Sequence, residues 1–206
     1  GLGNKFLSHI RQVGVIAHVV RCFDNPDIMH VREDSKVEAP VDPASDIETI
    51  NIELALADLE TVEKRRAKTE KLLKSKDQAK EAKAEMEVLD ILQKLLTDGK
   101  AARGAELTDD QLVIAKDLQL LTMKKQLYVC NVDEDSVKAG NKYSKVVEDI
   151  AKKEGSAAIL VCGKLEAEIA ALETQAERDE FLEMAGLEES GLVKLIHAAY
   201  SLLGLR

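Results

Sequence analysis

Two apolar runs in this sequence each end abruptly on residues able to recognise a ligand. Leu127–Cys130 runs into Asn131, Val132, Asp133 and Glu134, and residues 157–161 run into Cys162, Gly163 and Lys164. An Asn carboxamide both donates and accepts, so it suits the mixed edge of a purine base. Small residues such as those at 162–163 let the backbone approach a flat ligand closely. In open α/β sheets, ligands bind just beyond the carboxyl ends of the strands, where both stretches would lie. The bland reading of Asn131–Glu134 is an ordinary strand-to-helix turn, because Asn and Asp favour turns. A second chemical feature is a basic stretch. Between Lys64 and Lys83, nine basic residues (Lys64, Arg65, Arg66, Lys68, Lys71, Lys74, Lys76, Lys80, Lys83) face three acidic ones (Glu70, Asp77, Glu81), a local charge of +6. Such a concentration suits phosphate contacts, which need no aromatic residues; it also suits a solvated helix face.

Composition narrows the choices. The chain has 206 residues, is 45% hydrophobic and 33% charged, and carries a net charge of −9. That is enough for one good core or two small domains, and the acidity argues against a wholly basic nucleic-acid binder. Aromatic content of 3% without Trp disfavours a stacking platform for single strands. No apolar run reaches the roughly 18–20 residues of a membrane span. Cys22, Cys130 and Cys162 are widely spaced in or beside apolar runs, as expected of buried reduced thiols. His9, His18, His30 and His197 fall into no metal-binding or catalytic spacing, and no nucleophilic triad can be argued. His18, inside an apolar run, reads as a hydrogen-bonded core histidine.

The elements that would position these residues alternate. Apolar positions at Leu2, Phe6, Ile10 and Val13 predict a first helix, and the β-branched run at 15–23 predicts a strand ending in a DNPD turn. Residues 28–43 read as a connection. Ser45 with Glu48 reads as a capping box opening a helix of about 29 residues, about 43 Å long. A second helix at 78–97 makes an antiparallel, coiled-coil-like hairpin with it, packed at the base and charged at the tip. A shorter helix follows from Thr108, then a strand over Gln126–Cys130, a helix over 143–154 closed by Gly155, a strand at 157–162, and helices at 175–185 and 189–203. Strands alternating with helices predict a parallel α/β sheet, with the hairpin inserted after its first strand.

The order of GLGNKFLSHIR, HVVRCFDNPDIMHV, VDPASDIETINIELALADLETVEKR, LYVCNVDE, EAEIAAL and AAYSLLGL resembles the YchF/Obg-like ATPase family of P-loop NTPases, over essentially the whole chain. The resemblance implies an α/β Ras-like P-loop NTPase domain, mostly parallel sheet, with an inserted antiparallel coiled-coil hairpin and a C-terminal TGS domain. It implies that residues 1–43 are part of the nucleotide-binding domain, entering through the end of the second switch loop and its helix. Residues 44–97 would be the arm, and 98–206 the remainder of that domain. Asn131, Val132 and Glu134 would be the base-recognition motif, and Cys162, Gly163 and Lys164 the following base-contact loop. It further implies ATP or GTP with Mg²⁺ as ligands, a ribosome or RNA partner contacted by Arg65, Arg66, Lys68, Lys71, Lys74 and Lys76, and a cytoplasmic location.

The chain departs from the Ras-like pattern in two ways. No G-x-x-x-x-G-K-S/T occurs, so the P-loop, the first switch and the Mg²⁺ ligands are expected upstream of Gly1, and this stretch alone is expected not to hydrolyse nucleotide. Ras-like GTPases also end this strand in Asn-Lys-x-Asp, where the Asp accepts from guanine N–H groups. Here Val132 stands for the Lys and Glu134 for the Asp. Glu is a methylene longer and adenine has no N1–H, so ATP is expected over GTP. The reading from a different class is a helical module that binds RNA or protein and has no nucleotide role.

Overall fold

The structure is a computed structural model and describes residues 3–25 and 40–205. Gly1, Leu2, His30 and most of the connection expected at 28–43 lie outside those residues. The chain divides into two compact units. One takes the chain up to Gly14 together with Glu48–Lys124, the other Val15–Ile47 and Lys125 onward.

In the second unit, β1 (Val15–Arg21), β2 (Lys125–Asn131) and β3 (Ala157–Val161) form a parallel sheet in the order β1-β2-β3. The central strand is buried from Gln126 to Cys130, which is why it reads as a continuous apolar run and not as an alternating one. Register matters most here. Arg21 pairs with Asn131 and Asn131 with Val161, so the three strands finish level with one another. Val20, Tyr128, Cys130, Val147, Ala151 and Leu165 fill the core. Cys22, Cys130 and Cys162 are buried and form no disulfide. A hydrogen bond with Cys130, together with burial, pushes the Cys22 thiol far above the ordinary range. His18 lies 3.1 Å from Gln126 through Nδ1, and burial lowers its pKa.

The crossover from β2 to β3 is α5 (Lys142–Lys153). Asn141 caps it by accepting from the Tyr143 and Ser144 N–H groups, while Ser144 Oγ accepts from the Asn141 N–H at 2.8 Å. Gly140, at φ +72°, precedes this cap, and a Cβ there would stand 2.5 Å from Ser144 Oγ, so only glycine fits. Three helices follow: α6 (Gly163–Ala171), α7 (Gln175–Ala185) and α8 (Gly191–Leu203). Helix α6 has no counterpart in the sequence reading.

The first unit is helical: α1 (Asn4–Ile10), most of α2 (Pro43–Leu72), α3 (Ala79–Thr97) and α4 (Asp109–Asp117). Helix α2 opens two residues before Ser45, which corrects the expected capping box. Asp42 is the cap: its carbonyl accepts from the Asp46 N–H and its carboxylate from the Ser45 N–H at 3.3 Å. Pro43, with φ already helical and no N–H to lose, takes the first helical position. Thr108 and Gln111 do form the expected box at the start of α4. Helices α2 and α3 run antiparallel, since partners on α3 move backward as α2 advances (Arg66 with Asp90, Thr69 with Glu85). Val62, Val88, Leu89, Leu92 and Leu96 make their apolar seam.

One polar group is buried at the centre of this unit. Asp58, on α2, is 0% exposed. Its Oδ1 accepts from Arg11 Nη1 at 3.1 Å and the Leu121 N–H at 2.8 Å. Its Oδ2 accepts from the Thr122 N–H at 2.7 Å and the Thr122 hydroxyl at 2.8 Å. Arg11 also donates to the carbonyls of Ala57 and Gln119, the latter a residue held at φ +49°. No helix among the described residues is long and apolar enough to cross a membrane.

Candidate functional site

Level strand ends place three loops side by side. Asn131, Val132, Asp133 and Glu134 from the end of β2, Cys162, Gly163 and Lys164 from the end of β3, and Phe23, Asp24 and Asn25 from the end of β1 line one cavity of about 380 Å³. That volume lies within the range of about 300–1,000 Å³ typical of small-molecule sites. All six residues singled out from sequence for base contact therefore come together.

Their parts differ. Asn131 Oδ1 accepts from the Gly163 N–H at 3.0 Å, which ties two strand ends together and fixes the carboxamide. With the oxygen so used, Nδ2 makes no hydrogen bond among the described residues and is the donor left for a ligand. A Cβ on Gly163 would meet Asn131 Oδ1 at 3.3 Å, so the small residue preserves this tie. The Val132 N–H donates to the Val161 carbonyl at 2.9 Å. Val132 and Cys162 are each 2% exposed and pack into the sheet core, so they border the cavity chiefly through backbone. Glu134 and Lys164 are both solvent-accessible and form an ion pair, Nζ to Oε1, at 2.5 Å. That hydrogen bond raises the Lys164 pKa and keeps the amine charged.

In the third wall, Phe23 was expected as the last residue of the first strand and Asp24–Asn25 as a turn; the strand instead ends at Arg21, which leaves all three in a loop. It is held from outside the cavity. Tyr143 donates to both oxygens of Asp24, at 2.8 and 2.9 Å, and Asn141 Nδ2 donates to the Cys22 carbonyl at 2.7 Å. Arg21 donates to the Phe23 and Asn25 carbonyls and sets its guanidinium over the Phe23 ring, 5.1 Å from the centroid. The cavity thus brings together an aromatic side chain, a carboxamide donor without a partner among the described residues and a carboxylate paired with an ammonium. Among the described residues no group of three or more His, Cys, Asp or Glu side chains converges to hold a metal ion.

On the arm, the structure separates the six expected contact residues. Arg65 pairs with Glu85 at 2.5 Å, and Arg66 reaches Asp90, Gln93 and Glu70. Lys68, Lys71, Lys74 and Lys76 are exposed and make no ion pair among the described residues.

No family model matches the chain. Individual proteins do. The chain is 51% identical over 207 residues to the ribosome-binding ATPase YchF of Bacillus subtilis (strain 168), which covers all of this chain and 54% of that protein. It is 44% identical over 206 residues to the ribosome-binding ATPase YchF of Escherichia coli O157:H7, again with 54% of that protein covered. The structure matches that of the Schizosaccharomyces pombe YchF GTPase with a TM-score of 0.81 and 30% identity, over 98% of this chain and 53% of that one. The chain therefore spans about half the length of the relatives it matches. Sequence and fold therefore agree along the whole of this chain with YchF proteins, to which it is homologous over about half their length.

Proposed function

We propose that this stretch carries the base-reading half of a purine-nucleotide site, in a translation-associated NTPase that prefers ATP and couples nucleotide state to binding of the ribosome or RNA in the cytoplasm. The observation that carries the reading is the convergence of Asn131, Glu134, Gly163 and Lys164 with Phe23 on one cavity at the carboxyl ends of three parallel strands. Phe23 offers a face for stacking the base. Asn131 Nδ2 donates to a purine acceptor such as N7, which adenine and guanine share. Selection between them falls to groups facing the other edge, where Glu134 lies. Phosphate binding and Mg²⁺ ligation are assigned to sequence outside these 206 residues, where Mg²⁺ would supply neutralising charge for the phosphates. The relatives' names differ on the nucleotide, ATPase in the bacterial proteins and GTPase in the yeast one, so the choice needs measurement.

The test is competition of ATP and GTP against a fluorescent ATP analogue on the full-length gene product. ATP should compete more strongly, and Asn131→Ala should weaken ATP by about tenfold, as loss of about 1.4 kcal/mol implies. A clear GTP preference would overturn the ATP assignment. Unchanged affinity in a folded Asn131→Ala variant would overturn the site.

A further inference from the structure

We infer that Lys164 is a specificity-determining residue that selects against guanine by occupying the Glu134 carboxylate; the inference rests on the base-site reading above. The carboxylates bordering the cavity are Asp24, Asp133 and Glu134. Asp24 accepts from the Tyr143 hydroxyl through both oxygens, and Asp133 Oδ1 accepts from the Ser136 N–H at 2.9 Å in a local turn. Glu134 makes neither kind of contact. Its partner is Lys164, one residue beyond the Gly163 that Asn131 grips, so the tie between the strand ends also brings the ammonium to the carboxylate.

The chemistry of the two bases makes this pairing selective. Guanine presents N–H donors at positions 1 and 2, and a free carboxylate there accepts both. Adenine presents a bare N1 acceptor at the same edge, which a free carboxylate repels. An ammonium on Glu134 Oε1 takes one of the two oxygens that a two-pronged guanine contact needs, and it offsets the repulsion that adenine meets. It thereby lets a site descended from the same loop position favour ATP without any contact from Lys164 to the base. Asn131, limited to an acceptor common to both purines, cannot make this distinction.

Both partners are solvent-accessible, 71% for Lys164 and 47% for Glu134, so the pair opens easily and its leverage is modest. An exposed pair contributes little, which sets the expected change at about fivefold at most. The exposure also means that Lys164 can be replaced without threatening the fold.

The test measures ATP and GTP affinities of the full-length gene product by competition, for wild type, Lys164→Met, Lys164→Arg and the Glu134→Gln/Lys164→Met double variant. Lys164→Met should tighten GTP about fivefold and leave ATP no tighter. Lys164→Arg, which keeps the pair, should stay within twofold of wild type. In the double variant the gain for GTP should vanish. An ATP-to-GTP ratio in Lys164→Met within twofold of wild type overturns the inference while leaving the base site standing; so does a GTP gain that survives in the double variant. Failure of wild type to bind either nucleotide overturns the base-site reading and this inference with it.

Discussion

Asp58 offers the sharpest test of what holds the helical unit together. Its carboxylate accepts four hydrogen bonds, from Arg11, from the Leu121 and Thr122 N–H groups and from the Thr122 hydroxyl, at 0% exposure. Replacing it by Ala leaves two buried backbone donors and a guanidinium without their acceptor. Two orphaned buried donors at about 1–3 kcal/mol each set the expected cost at about 2–6 kcal/mol, to which Arg11, partly exposed and still donating to the Ala57 and Gln119 carbonyls, adds little. Asn is no rescue. Its NH₂ must face either the Leu121 N–H and Arg11 or the Thr122 N–H, and donor meets donor in both orientations. Thr122 Oγ1 cannot compensate, because it already accepts from the Ala102 N–H at 3.0 Å. Urea denaturation followed by circular dichroism gives the free energy, with a midpoint shift of about 2 M at a slope of about 2 kcal/mol/M. Peptide-level hydrogen exchange locates it, with protection lost first around Leu121–Met123. The control is Glu60→Ala, which breaks the exposed pair with Lys64, 3.3 Å long, and should cost at most about 0.5 kcal/mol. An Asp58→Ala shift no larger than that control would refute the reasoning.

Two further predictions concern the site and the arm. Tyr143→Phe removes both hydrogen bonds to Asp24 and should loosen the Phe23–Asn25 wall, weakening nucleotide binding about fivefold at nearly unchanged stability; affinity within twofold of wild type would show that this wall needs no anchor. Neutralising Lys68, Lys71, Lys74 and Lys76 to Gln should weaken binding of a short single-stranded RNA and flatten its dependence on salt, by about 0.7 in log–log slope for each lysine that touches a phosphate. An unchanged slope returns these residues to a solvated face.

Much of the sheet was legible because its signals are local. The β-branched run at 15–21 and the apolar run at 126–130 form strands from their own composition. What escaped the sequence depended on competition or on distance. At the start of α2, two capping patterns overlap; Asp42-Pro43 prevails over Ser45–Glu48 because the proline ring is already helical in φ, and the earlier start also buries Ile47. Helix α6 follows β3 after a single residue, and its cap position is Cys162, which offers no capping side chain, so nothing announced it. Asp58 reads as one more polar residue on a helix, because its partners lie 47 to 64 residues away. The cavity was half legible. Asn131 and Gly163 carry types that suit a ligand, whereas Phe23–Asn25 joins them only through the register that sets Arg21 beside Asn131, and register is not written in any one strand.

The arm shows why counting charge along a sequence overstates what a surface offers. The +6 of Lys64–Lys83 takes acids from the same stretch only, yet the antiparallel partner brings Glu85 and Asp90 against Arg65 and Arg66. Those two arginines are spent within the hairpin. Residue type explains which charges are taken. A guanidinium presents five donors in a plane, so Arg66 can hold Glu70, Asp90 and Gln93 at once, and such a fork loses little freedom per bond formed. An ammonium on a flexible stem gains less from one fixed partner and stays solvated. The apolar seam at Val88, Leu89 and Leu92 gives way toward the tip to these bridges, with buried Thr69 donating to Glu85 at 2.7 Å where an aliphatic residue would otherwise sit. The bridges therefore hold the hairpin closed where apolar packing fades, and they leave the lysines as its available charge. A phosphate surface on this arm would thus be a lysine surface, tolerant in geometry and sensitive to salt, which would suit following a nucleic-acid backbone better than reading its bases.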